Sequence, residues 1–157
     1  MKGLFEKKWV KALALGLVCA GLVYALIYAD VYLRARSAYL EGEKYYSWYQ
    51  DPALKKKALD EDLAKEKGKL DKKLAAGKIE KDEYAQQLDI LNFDNEQKLK
   101  ESSIKYAYIW YQTVVELFSP PETKYVKLAR EKMPQAKEIW KKELTAKGVP
   151  FEDYMLD

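Results

Sequence analysis

The sequence predicts an all-α chain: one N-terminal membrane-spanning helix, then a helical hairpin and a small helical bundle. Three observations carry this. Ala12 to Ala29 is an unbroken run of 18 uncharged residues. Beyond it, apolar residues recur every three and four positions, and no stretch sustains the period-two alternation of a half-buried strand. The seven glycines are few and scattered. At 157 residues there is room for one domain, or one small domain plus an anchor.

The leader reads as an address. Lys2, Lys7, Lys8 and Lys11 face one acid, Glu6, ahead of the uncharged run. That run exceeds the roughly 7–15 apolar residues of a cleaved signal peptide. Val31 and Leu33 extend it past Asp30, giving a span over 12–33. Backbone groups in lipid must be satisfied internally, so the span is a helix. Cleavage after Ala29 and a buried core helix are the competing readings. Val18 precedes Cys19 where a lipoprotein needs a small residue, so Cys19 reads as a small apolar side chain in the span. The lysine flank predicts a cytoplasmic tail over 1–11. The body then lies outside the cytoplasm, in the periplasm if the source is a Gram-negative bacterium with this chain in its inner membrane. No cysteine follows residue 19, which fits an oxidising compartment.

Residues 34–101 read as extended helices and a polar hairpin. Tyr28, Tyr32, Ala35, Tyr39, Gly42, Tyr46 and Tyr49 repeat at 4-3, one stripe on a helix continuous with the span and ended at Asp51-Pro52. Either the stripe packs on later helices of this chain, or it receives another subunit. Leu59, Leu63, Leu70 and Leu74 form a thin seam suited to a hairpin or coiled coil. Gly77 marks the turn. Asp82 and Glu83 suit the first turn of the next helix, whose Tyr84, Leu88 and Leu91 can face the seam. Leu74, Gly77, Ile79, Glu83 and Tyr84 resemble a short bacterial element, LxxGxIxxxEY, which implies a turn followed by a helix and no activity.

Residues 102–157 read as a C-terminal helical domain. Ile104, Tyr108, Tyr111, Val115 and Phe118 form one stripe; Ala107, Trp110, Val114 and Leu117 form another. A helix so apolar around its girth is central to a core or clasped by a partner. Ser119-Pro120-Pro121 ends it, with Pro121 suited to the first turn of the next helix. That helix is expected to close at Met133-Pro134. A last one then carries Ala136, Ile139, Trp140 and Leu144 to Gly148 and Pro150. Residues 106–134 resemble a single tetratricopeptide unit through Tyr106, Ile109, Ala129 and Pro134. They depart from it at Trp110 and Glu122, and no second copy follows. The resemblance implies a helix-pair binding module.

Chemistry is sparse. With no His and one Cys, the common triads and most metal sites are excluded. Phosphate loops, haem motifs and calcium loops are absent, and no cofactor or metal is expected. A Ser-Lys dyad of Ser102 or Ser103 with Lys105 is conceivable, but serines beside lysines on a helix usually face solvent. Asp60, Glu61 and Asp62 read as a helix's acidic first turn. Lys137, Lys141, Lys142 and Lys147 form a basic face around Trp140, of a kind that can touch anionic lipid, or a solvated one. A net charge of +3, with 13 bases against 12 acids over 55–105, gives no reason to expect nucleic acid.

The expected role is therefore non-catalytic: a single-pass, membrane-anchored scaffold or accessory subunit that positions partners in an envelope or membrane complex. The bilayer meets residues 12–33. Tyr39, Tyr45, Tyr46, Trp48, Tyr49, Tyr108, Trp110 and Tyr111 are the expected partner contacts, because aromatic side chains give large contact area for little rotamer entropy. The alternative is a self-associating structural protein, an envelope spacer or sheath.

Overall fold

The first helix runs unbroken from the leader into the body, a consequence of having no glycine pair, proline or cap signal between Lys8 and Gln50. The computed structural model describes residues 8–156. Lys2, Glu6 and Lys7 of the leader and the last residue, Asp157, lie outside that range. α1 spans Lys8–Gln50, α2 Pro52–Ala75, α3 Lys81–Lys100, α4 Ser103–Leu117 and α5 Lys124–Ala146. A short 3-10 turn, Asp153–Leu156, follows. No strand occurs among the described residues. α1 is the one helix among them long and apolar enough to cross a membrane. Every side chain from Lys11 to Asp30 is exposed.

The ends of the helices follow from local chemistry. Asp51 caps α2 by accepting from the Ala53 N–H at 3.0 Å, and Pro52 takes the first helical position, where no N–H is needed. α2 stops at Gly77, which sits at φ +65°. There the Gly77 N–H donates to the Leu74 carbonyl and Lys78 N–H to Lys73, the bond pair of a left-handed C-terminal cap. Gly148, also at φ +65°, closes α5 through the same bonds, from Gly148 N–H to Thr145 and Val149 N–H to Leu144.

Two expected boundaries are corrected. α5 does not close at Met133-Pro134; it runs through Pro134 to Ala146. Proline removes one N–H from the ladder, but Pro134 and Arg130, the residue whose carbonyl loses its donor, are both exposed. Water can satisfy that carbonyl, while Ala129 and Ala136 are fully buried on either side and hold the helix down. Pro121 is not in the first turn of α5 either. Thr123 is the N-cap, its Oγ accepting from the Val126 N–H, and the Pro121 carbonyl accepts from the Thr123 N–H at 2.8 Å.

The core lies where the second half of α1 meets α4 and α5. Ala35, Ile104, Ala107, Tyr111, Val114, Val126, Ala129 and Ala136 are fully buried. α4 runs antiparallel to α1: Tyr106 stacks on Tyr45, and Tyr111 meets Tyr39 further along. α5 returns alongside, with Tyr125 edge-on to Tyr32 at 5.4 Å. The tyrosine stripe of α1 is thus used largely within the chain. α2 and α3 form the polar hairpin beside this core. Leu70 is buried in it, and Tyr84 Oη donates to Asp71 Oδ1 at 2.7 Å.

Gly42 sets the closest approach. A Cβ there would meet Tyr111 Cε1 at 2.7 Å and Cδ1 at 2.8 Å. That ring is fully buried and its hydroxyl donates to Glu43 Oε1 at 2.6 Å, so it has nowhere to move. Gly42→Ala gains about 1 kcal/mol of helix propensity but costs roughly 1–3 kcal/mol of overpacking. Thermal unfolding of the detergent-solubilised chain should show a lowered Tm; a raised one would mean that the ring has room.

Candidate functional site

Five helix ends converge at the root of the hairpin. The last turns of α1 bring Lys44, Tyr45, Trp48 and Tyr49, the first turns of α2 bring Lys55 and Leu59, and the end of α3 brings Lys98 and Leu99. The α3–α4 link adds Glu101, α4 adds Tyr106 and α5 adds Glu143. Between them lies a cleft of about 440 Å³ with walls including Tyr45, Trp48, Tyr106, Lys55 and Glu101. A shallower hollow of about 300 Å³ adjoins it and shares Trp48, Lys55 and Glu101.

The aromatic wall is built by side-chain stacking. Tyr45 lies on Tyr106 with centroids 5.2 Å apart and 28° between planes, and meets Trp48 edge-on at 5.1 Å. Lys44 Nζ stands 5.1 Å from the Tyr45 ring and 5.2 Å from Trp48, a cation held over π faces. The floor is Lys55, 7% exposed. Its ammonium donates to the carbonyls of Leu99 at 3.1 Å and Glu101 at 2.6 Å, where α3 has run out of backbone donors. Burial pushes the Lys55 amine down, and the Glu101 and Glu143 charges partly restore it. The bonds to two carbonyls make it a clamp rather than a nucleophile.

Behind the cleft, Ser102 Oγ caps α4 by accepting from the Lys105 N–H and donates to Glu143 Oε2 at 2.6 Å. The conceivable Ser102–Lys105 dyad is thus a helix cap. For Glu143, burial raises the carboxyl, but hydrogen bonds from Lys147 and Ser102 outweigh it and hold the group below its ordinary range. A second polar knot lies nearer the core. Glu43 accepts from Tyr111 at 2.6 Å, and from Lys132 at 2.6 Å on both oxygens. Burial again opposes ionisation, and again the bonds from Lys132, Tyr111 and Tyr39 win, holding Glu43 low. Burial and the Glu43 carboxylate push the Tyr111 phenol well up, so it remains a donor.

The eight expected contact residues divide. Tyr39, Tyr108 and Tyr111 are interior, at 7%, 3% and 0% exposure, and present almost no surface. Tyr45 and Trp48 line the cleft, Tyr49 opens onto the adjoining hollow, Tyr46 is half-buried 5.6 Å from Lys132 Nζ, and Trp110 is half-buried against the core. Tyr45, Trp48 and Tyr49 come together; Trp110 does not join them. Sequence reasoning missed Lys55, although it stands four residues before Leu59 on the hairpin seam. It also missed Ile90 and Phe93 as surface, which are 59% and 60% exposed on a helix with no buried residue. Their i, i+3 spacing outside the 84-88-91 stripe was the available signal. The basic face of α5 is broken up: Lys141 pairs with Glu138 and Asp153, Lys147 pairs with Glu143, and Trp140 packs on Tyr108 at 5.7 Å. Among the described residues no three metal-ligating side chains cluster.

Glu43 and Glu143 set the acid limb of stability. Above the ordinary carboxylate value of 4.5 each is ionised in both folded and unfolded chains and contributes fully. The contribution is lost as pH falls through their lower folded values. Unfolding titrated from pH 7 to pH 3 should show stability falling below about pH 4.5. Glu43→Gln should be less stable at pH 7 and flatter in acid; an unchanged acid limb would remove Glu43 from the account. Lys55→Met should speed amide exchange at the C-terminal turn of α3 with little change in exchange along α4. Comparison with family models, characterised proteins and solved structures finds no match for this chain.

Proposed function

We propose that this chain is a single-pass membrane-anchored scaffold or accessory subunit that holds partner proteins at a fixed height above a bilayer, with no covalent step. One observation carries the reading. α1 is a single helix of 43 residues, lipid-compatible and exposed on every side in its first half and packed into a folded core in its second. A helix with no joint between span and body transmits position, which is what a spacer or assembly subunit requires. The lysine-rich leader supports a cytoplasmic N-terminus, with the body on the outer face of a bacterial cytoplasmic membrane.

The contact surface on this reading is the aromatic cleft with Trp48 and Tyr49 at its rim, together with Ile90 and Phe93 on the hairpin. Aromatic groups set in a polar rim are the usual anchors of protein interfaces. The self-associating alternative draws on the same Ile90–Phe93 face, since an exposed apolar pair on an otherwise charged hairpin can meet its own copy.

A mild-detergent pull-down of the full-length chain with a C-terminal tag, read by quantitative mass spectrometry, tests both. Stoichiometric membrane proteins, lost from Trp48→Ala/Tyr49→Ala or Ile90→Ser/Phe93→Ser variants of unchanged helix content, support the scaffold. Recovery of the chain alone, with a concentration-dependent mass, supports self-association. For topology, a cysteine at exposed Glu61 should react with a membrane-impermeant reagent in intact cells; protection would invert the orientation.

A further inference from the structure

The geometry points to the α4–α5 loop, with the turns that flank it, as a second membrane contact: it rests in the headgroup layer of the same bilayer that α1 is proposed to span, so this inference depends on that reading. Height along α1 places it there. The uncharged run ends at Ala29. At 1.5 Å per residue, Tyr32 stands about 4.5 Å beyond it and Leu33 about 6 Å, while the polar layer on each side of the hydrocarbon is roughly 5–7 Å deep. Tyr125, near the start of α5, touches Tyr32 with ring centroids 5.4 Å apart. The antiparallel register that sets Tyr106 against Tyr45 and Tyr111 against Tyr39 brings Leu117 level with Leu33. The loop that joins α4 to α5 therefore lies within the headgroup layer, with no linker to lift it away.

Its surface suits that place. Leu117 is 71% exposed and Leu33 59%, with Phe118 half-buried beside them and Pro120 open. An isolated exposed leucine needs no explanation. Here the two leucines stand at one level just beyond the uncharged run. Tyr32 and Tyr125 supply the amphipathic rings favoured at this depth. The charges are mixed: Arg36, Lys124 and Lys127 are exposed, but Arg34 pairs with Asp30, and Arg130 with Glu122. The contact is therefore apolar and aromatic before it is electrostatic. With α1 it gives the body two points of attachment and fixes its tilt as well as its height.

The test uses the full-length chain, with Cys19→Ser, in phosphatidylcholine vesicles carrying a spin label near the headgroup, and in a second set carrying it at the acyl-chain end, which reads Leu22→Cys at the bilayer centre. Single cysteines at Leu117→Cys, Leu22→Cys and Glu61→Cys carry an environment-sensitive fluorophore. Leu117→Cys should be quenched roughly threefold more than Glu61→Cys on the hairpin, because the label sits at headgroup depth. The expected quenching is unchanged when phosphatidylglycerol is added. Quenching at Leu22→Cys but not Leu117→Cys overturns this inference and leaves the anchor standing. Absence of quenching at Leu22→Cys overturns the anchor and this inference with it. Quenching at Leu117→Cys that appears only with phosphatidylglycerol overturns the apolar character argued here.

Discussion

The close approach at Gly42 is the constraint on which the rest of the body depends. Only a residue without Cβ lets α1 lie against the Tyr111 ring at this distance. That ring in turn delivers its hydroxyl to Glu43, the next residue of α1. Lys132 closes the knot from α5. Three helices far apart in sequence are thereby tied at one height, by a contact that fixes distance and a polar set that fixes rotation. A carboxylate partly withdrawn from water, as Glu43 is, is favoured when charged and hydrogen-bonding partners are in place. Here a phenol and an ammonium supply them, so register errors between these helices leave a charge uncompensated.

The same knot explains why the apolar first half of α1 and the body form one object. Ala35, Ala38 and Tyr39 are buried only two or three turns beyond the uncharged run, before the helix has had room to bend or fray. On the proposed reading the membrane holds one end of α1 and the core holds the other. Any partner bound at the hairpin root is then positioned relative to the bilayer through α1.

Much of this architecture was legible in the residues. The uncharged run, the 4-3 tyrosine stripe, Gly77 and Gly148 each announce one local event, and local events are what a sequence states best. Pro134 misled because its meaning depends on which face it occupies: a missing N–H costs little where water reaches the orphaned carbonyl. Pro121 misled because Thr123, two residues on, makes the better cap. The site was half legible. A stripe repeating at 4-3 says which tyrosines share a face, but it does not say where along that face another helix will cover them. Tyr39 and Tyr111 are covered, Tyr45 and Trp48 line an open cleft, and Tyr49 is exposed at the adjoining hollow, because α4 crosses α1 at Gly42 and the hairpin leaves it at Pro52. Lys55 was hidden by type: a lysine reads as solvent-facing until the carbonyls it clamps are known.

The hairpin stands apart from this logic. α3 buries no residue, and at its end an α2 ammonium, that of Lys55, bonds the carbonyls of Leu99 and Glu101. Bonds of that kind contribute modestly in net terms, about 1.5–3 kcal/mol for a charged donor, far less than the apolar burial that holds α1, α4 and α5. The chain has therefore placed an exposed apolar pair, Ile90 and Phe93, on a helix with no buried residue, and its aromatic cleft at the point where that helix is attached. On the proposed reading, a partner gripping the hairpin would pull on the Lys55 clamp and alter the cleft, while the core beneath stayed fixed. On that reading, contact and anchorage fall on different parts of the chain, which meet at the floor of the site.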